Sequence, residues 1–196
     1  MKLTEQRVYD LLAAFRSADP TPGGGSASAL AGAIGASLLA MVAGLPKPRA
    51  STEEDTVALR NTGLRCTELA ADLEQLVNSD ADAYNVVMEA YRLPKLADDD
   101  KARRAVAIQN GLKVATETPL DVMRRCHEAL EFVPVVERLG NPNASSDVKV
   151  AVYLLRAALA GAAANVEINL GSLKDAGYVQ QVRTEAATFK RLPTSD

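Results

Sequence analysis

Ser26 to Leu45 is a run of 20 residues without a single charge, introduced by Pro20-Thr21-Pro22-Gly23-Gly24-Gly25-Ser26. Glycine loses more conformational freedom on folding than any other residue, so three in succession need a return. Close approach of the backbone to another helix or to a ligand supplies one. The run is long enough to span a bilayer. Yet Gly, Ala and Ser fill much of it, and the rest of the chain is patterned like a soluble protein. A buried central helix is therefore expected rather than a membrane span.

Other helices follow from spacing and punctuation. Val8, Leu11, Leu12 and Phe15 recur at helical intervals within Leu3 to Ser17, with Thr4 as a cap. Pro46 and Pro48 close the small-residue helix. Ser51-Thr52-Glu53-Glu54 reads as a capping box that opens a long helix, persisting to about Leu93 before Pro94. Ala97 to Asp100 opens another, with acidic residues at its positive end. Pro119 should kink or break that helix, and Pro134 again. Gly140 to Asp147 forms a loop, a helix follows from about Val148 to Leu170, and Asp175 to Lys190 closes the chain. The expectation is an all-α fold, one domain over residues 1–196, built as a bundle of long antiparallel helices.

Composition narrows the function. Hydrophobic residues make up 47% and aromatics 4%, which favours helix over strand. The formal net charge of −3 argues against a nucleic-acid binder, which would carry a basic excess. Cys66 and Cys126 form neither a disulfide framework nor a metal set and read as reduced core thiols of a cytoplasmic protein. Glu5, Arg7 and Asp10 argue against a secretory leader. No HExxH, CxxC or carboxylate–histidine cluster occurs, so no metal is expected. The glycine segment lacks the Lys-Ser/Thr of a nucleotide P-loop, though its N–H groups suit an anion.

Polar residues on apolar faces mark a candidate site. On a helical wheel, Leu73, Leu76, Val77, Tyr84, Val87, Met88 and Tyr91 share a stripe with Asp80 in its middle. Asp82 falls on the opposite side with Gln75, Asn78 and Glu89 and reads as a solvated charge. An inward carboxylate is expensive unless bonded or paired. Asp80 is thus either an acid–base group or a carboxylate holding a helix end or an arginine across the bundle. Asn165 and Asn169 sit four residues apart on the apolar side of their helix, suited to a polar ligand or to inter-helix bonds. Asp147 reads by default as a helix cap. His127 lacks a partner in sequence and reads as structural. Arg92 and Lys95 compensate a helix end or grip an acidic ligand.

The segments PTPGGGSASALAGAIGASLLAMVAGL, DADAYNVVMEAYRLPK, TPL at 118–120, GNPNASSDVKVA at 140–151 and NVEINL at 165–170 occur in an order that resembles the cyclodeaminase/cyclohydrolase family. This family comprises the cyclodeaminase part of formiminotransferase-cyclodeaminase and stand-alone methenyltetrahydrofolate cyclohydrolases. The resemblance implies an all-helical homodimer, a tetrahydrofolate derivative as substrate and no further cofactor. It implies Asp80 as the catalytic residue. It places Gly23, Gly24, Gly25, Ser26, Lys95, Asn141, Asp147, Asn165 and Asn169 at substrate-binding positions. Asn143-Ala144-Ser145, and Ala164 where an aromatic occurs in relatives, depart from the pattern. The chain has no room for a transferase domain, which leans the reading towards the cyclohydrolase. The cyclodeaminase, and a non-catalytic folate-binding or scaffold protein, are the alternatives, and retention of Asp80 favours an enzyme.

Overall fold

A computed structural model describes residues 2–189, and every regular element among them is helical. The helices are α1 (Val8–Phe15), α2 (Gly24–Gly44), α3 (Glu53–Arg92), α4 (Asp98–Glu131), α5 (Val133–Leu139), α6 (Ser145–Leu170) and α7 (Ala176–Phe189). Short 3₁₀ turns occupy Leu3–Glu5 and Pro142–Ala144. Lys190, the expected end of the last helix, lies outside the described residues.

Four helices form the core in a closed square, α2 against α3, α3 against α4, α4 against α6 and α6 against α2. Each neighbouring pair is antiparallel. Gly25 meets Asp80 and Gly63 meets Ala43 between α2 and α3. Gly24 meets Asn165 and Gly35 meets Leu155 between α2 and α6. The core is built from Leu39, Leu69, Leu73, Leu120, Met123, Leu155 and Val166, all fully buried. Small residues let α2 sit deep among its neighbours. A Cβ on Gly32 would stand 2.8 Å from Cys126 Sγ, and one on Gly35 2.8 Å from Leu155 Cγ. Two stretches, Gly24–Gly44 and Pro142–Leu170, are long and apolar enough to cross a membrane. Both contribute core helices here. Leu73→Ala should lower the unfolding free energy by about 2–5 kcal/mol, read from urea titration, because the bundle closes poorly over a lost side chain.

α2 is shorter than its neighbours at its N-terminal end. Beyond the level of Asp80, α3 and α4 continue as a two-helix arm with its own small cluster of Val87, Ala90, Ile108 and Leu112, covered by Leu173. The bundle therefore has a step, and α2 begins at its foot.

Several expected features differ. The first helix is interrupted, because Gln6 and Arg7 are extended. Thr4 caps nothing; its hydroxyl accepts from Asn78 Nδ2 (3.1 Å), while Leu3 N donates to Asn78 Oδ1 (2.7 Å). Asn78 is thus no solvated residue but the clamp that pins the N-terminal turn to α3. Of the α1 stripe only Leu11 is buried, and Val8, Tyr9 and Leu12 are exposed. Thr52 is the cap of α3, accepting from Asp55 N at 3.1 Å. α4 runs unbroken through Pro119, whereas Pro134 does start a new helix after Phe132. α6 begins at Ser145, so Asp147 lies inside its first turn and makes no capping bond. Its carboxylate still sits at the favourable end of the helix dipole.

Candidate active site

The site begins with a helix that has no cap of its own. Gly23 occupies the N-cap position of α2 and has no side chain to offer. Asp80, from the middle of α3, supplies the missing carboxylate. Its Oδ2 accepts from Ser26 N at 2.8 Å and from Ser26 Oγ at 3.0 Å. The backbone bond is the one an N-cap side chain would accept from the third residue of its own helix. The sequence alternatives for Asp80 are therefore resolved in part: it does hold a helix end across the bundle.

Gly25 makes this approach possible. A Cβ built there would overlap Asp80 Oδ1 and lie 2.5 Å from Cγ. Gly24 differs, since a Cβ there would meet Asn165 Nδ2 at an ordinary 3.5 Å. Ser28 Oγ donates to Gly24 O at 2.7 Å and leaves no space for a side chain on Gly161. The N–H groups of Gly24 and Gly25 find no backbone partner among the described residues. They remain as donors at the foot of the step.

The electrostatics of Asp80 are mixed. Burial raises its pKa above the ordinary aspartate value, and the two Ser26 bonds pull it back. Burial is the larger effect. Both hydrogen bonds fall on Oδ2, and Oδ1 has no hydrogen-bond partner among the described residues. Asp80 therefore keeps one oxygen fixed and one open, as a carboxyl that takes and returns a proton requires.

Asn165 sits on α6 at the level of Gly24, its Nδ2 donating to Gly161 O of its own helix at 2.9 Å. Asn169 lies one turn further on and donates from Nδ2 to Ala115 O on α4 at 2.7 Å. Gly23 to Ser26, Asp80 and Asn165 thus occupy one layer of the bundle, with Asn169 just beyond. Ser26 is fully buried and spent on Asp80, so it positions the carboxylate rather than a ligand.

Three expected site residues stand elsewhere in the chain. Asn141 donates to Pro46 O (2.6 Å) and accepts from Asn143 N (2.8 Å), which ties the loop before α6 to the far end of α2. Asp147 starts α6, about 27 Å along the helix from Asn165 at 1.5 Å per residue. Lys95 is exposed past the tip of α3, which runs about 18 Å beyond Asp80 by the same measure. Arg92 and Asp82 are exposed. His127 is part-buried and packs against Phe189, ring centroids 5.3 Å apart. Cys66 and Cys126 are buried and free, and burial pushes their thiols up to about 11 and about 12. Among the described residues, no group of three or more His, Cys, Asp or Glu side chains is arranged so that it could hold a metal ion.

Pro119 is a further residue that sequence reasoning misjudged, since α4 runs through it unbroken. The signal was present: a proline in a helix frees the carbonyl four positions earlier, and a polar side chain must then satisfy it.

Known proteins carry the same pattern. The formiminotransferase-cyclodeaminase family model matches residues 7–188. A methenyltetrahydrofolate cyclohydrolase of Methylorubrum extorquens is 37% identical over 176 residues, covering 90% of this chain and 85% of that protein. The formimidoyltransferase-cyclodeaminase of Gallus gallus is 34% identical over 154 residues, 79% of this chain but 28% of that longer protein. The crystal structure of formiminotetrahydrofolate cyclodeaminase from Thermotoga maritima superposes with a TM-score of 0.84 at 24% identity, covering 96% of this chain and 90% of that one, and so shares the fold. With a layer built on Asp80 and the glycine segment, and relatives aligned along nearly its whole length, this chain belongs to the formiminotransferase-cyclodeaminase family.

Proposed function

We propose that this protein is an enzyme of folate one-carbon metabolism that hydrolyses 5,10-methenyltetrahydrofolate to 10-formyltetrahydrofolate, or runs the reverse. The observation that carries this reading is Asp80: partly buried, raised in pKa, and open at one oxygen beside a glycine-walled helix start. The similarity to a cyclohydrolase of nearly the same length supports it.

The methenyl carbon between N5 and N10 is an electrophilic cation. Water attacks it while the Asp80 carboxylate takes one water proton, giving a neutral tetrahedral carbinol. Asp80 then gives that proton to N5 as the bond from N5 to carbon breaks. The carbinol proton leaves to solvent as the formyl C=O forms, so one proton is released per turnover. Formimino chemistry uses the same tetrahedral carbon but expels ammonia, and the family name keeps this cyclodeaminase activity as the second reading. Asn165 and the Gly24 and Gly25 N–H groups would orient the ring or the water, and Lys95 would meet the glutamate tail. Purified protein supplied with each substrate, followed by absorbance and ammonia release, separates the two. Turnover of neither sinks the enzyme reading.

The proposed working form is a homodimer, located in the cytoplasm. The dimer's support is an apolar groove of about 730 Å³ lined by Leu3, Val8, Leu11, Ile34, Leu38 and Met41. Light scattering should give twice the chain mass of 20.8 kDa, and Ile34→Glu should shift it to the monomer. A monomeric wild type sinks this part.

A further inference from the structure

Pro119 is buried inside α4, where it lacks the N–H that would bond the carbonyl of Ala115. Asn169 Nδ2 reaches across from α6 and donates to that carbonyl at 2.7 Å. A carbonyl is acceptor only, so the NH₂ end of the Asn169 amide is the only end that satisfies it. The amide oxygen must then turn away, and it takes no hydrogen bond among the described residues. Asn169 shares its helix face with Asn165, one turn past the start of α2, where the step of the bundle opens.

We propose that Pro119 sets the hydrogen-bonding character of the site. By leaving the Ala115 carbonyl for Asn169 to satisfy, it locks the Asn169 amide with its acceptor oxygen towards the ligand. The site then selects a ligand edge that donates N–H. This rests on the folate reading, since a pterin edge carries amide and amino donors. Pro119 is a positioning residue and Asn169 a specificity residue.

Pro119→Ala restores a backbone N–H that bonds the Ala115 carbonyl and releases the Asn169 amide to turn. The KM for 5,10-methenyltetrahydrofolate should rise about tenfold, the size of one lost hydrogen bond, with kcat changed less than about twofold. The urea midpoint should not fall, because an interior proline is replaced by the best helix former. Asn169→Asp keeps acceptor oxygens but sets one against the Ala115 carbonyl. Alone it should lower the urea midpoint, and combined with Pro119→Ala that loss should shrink by at least half. Independent losses in urea overturn the proposal. So does coupling in urea with an unchanged KM, which would make the pair a helix tie alone. The urea cycle needs no substrate. A wild type inactive on folates therefore refutes the proposed function, while the cycle still decides whether Pro119 orients Asn169.

Discussion

Asp80→Asn should abolish most turnover while leaving the fold intact. Asparagine offers one oxygen to Ser26 N and Oγ, so the start of α2 keeps its cap. Its NH₂ replaces the open Oδ1 and neither takes nor returns a proton at neutral pH. General acid–base groups contribute about 10²–10⁴-fold, and kcat should fall by that factor. Stability should move the other way. The folded-state pKa of Asp80 is raised, so the buried charge weakens the fold above that pKa, and the penalty is relieved as pH falls through it towards the unfolded value of 3.8. The asparagine variant should thus equal or exceed the wild type in urea at pH 7 and lose this advantage in acid. The acid limb of the wild-type pH–rate profile should lie above the ordinary aspartate range. Wild-type turnover in Asp80→Asn would refute the assignment.

Gly25→Ala should be nearly as damaging, through space alone. The new Cβ collides with the Asp80 carboxylate. Either α2 moves or Asp80 swings out and gives up both Ser26 bonds. Overpacking costs about 1–3 kcal/mol, and a lost bond to a charged group about 1.5–3 kcal/mol. Alanine's better helix propensity returns at most about 1 kcal/mol. Activity should drop about 10²-fold, since a displacement near 1 Å at the reacting group has that effect. Gly24→Ala is the internal control, because its Cβ makes an ordinary contact at 3.5 Å. Equal behaviour of the two variants would show that the close approach at Gly25 is not what matters.

These two residues also show how far sequence carried the reading. A helical wheel distinguished Asp80 from Asp82, because the apolar stripe of α3 is long enough to fix which side faces inward. It left open what the carboxylate touches, since Ser26 is 54 positions away and no periodicity reports contact between helices. The turn prolines behaved as expected at Pro46 and Pro134, where the chain reverses or bends. Pro119 did not, because Asn169 repairs the helix from outside it. Asn141, Asp147 and Lys95 matched family positions by motif, yet motif order carries no distance. The structure sets Asn141 and Asp147 at the far end of the bundle from Asp80 and Lys95 beyond the tip of α3.

The borrowed cap of α2 bears on the order of folding. A glycine-rich helix start without a capping side chain nucleates poorly alone. Its first turn is secured only when α3 has formed and docked, a contact that spans a long loop in the chain. Amide exchange should therefore show the Gly24–Ser26 end of α2 protected late in folding and opened early in native fluctuations, as its bonds to Asp80 form and break. Substrate or inhibitor bound at this end would then slow its opening. The cap of α2 and the proposed proton chemistry meet at one carboxylate, so under that proposal a chain still assembling its bundle has no working acid.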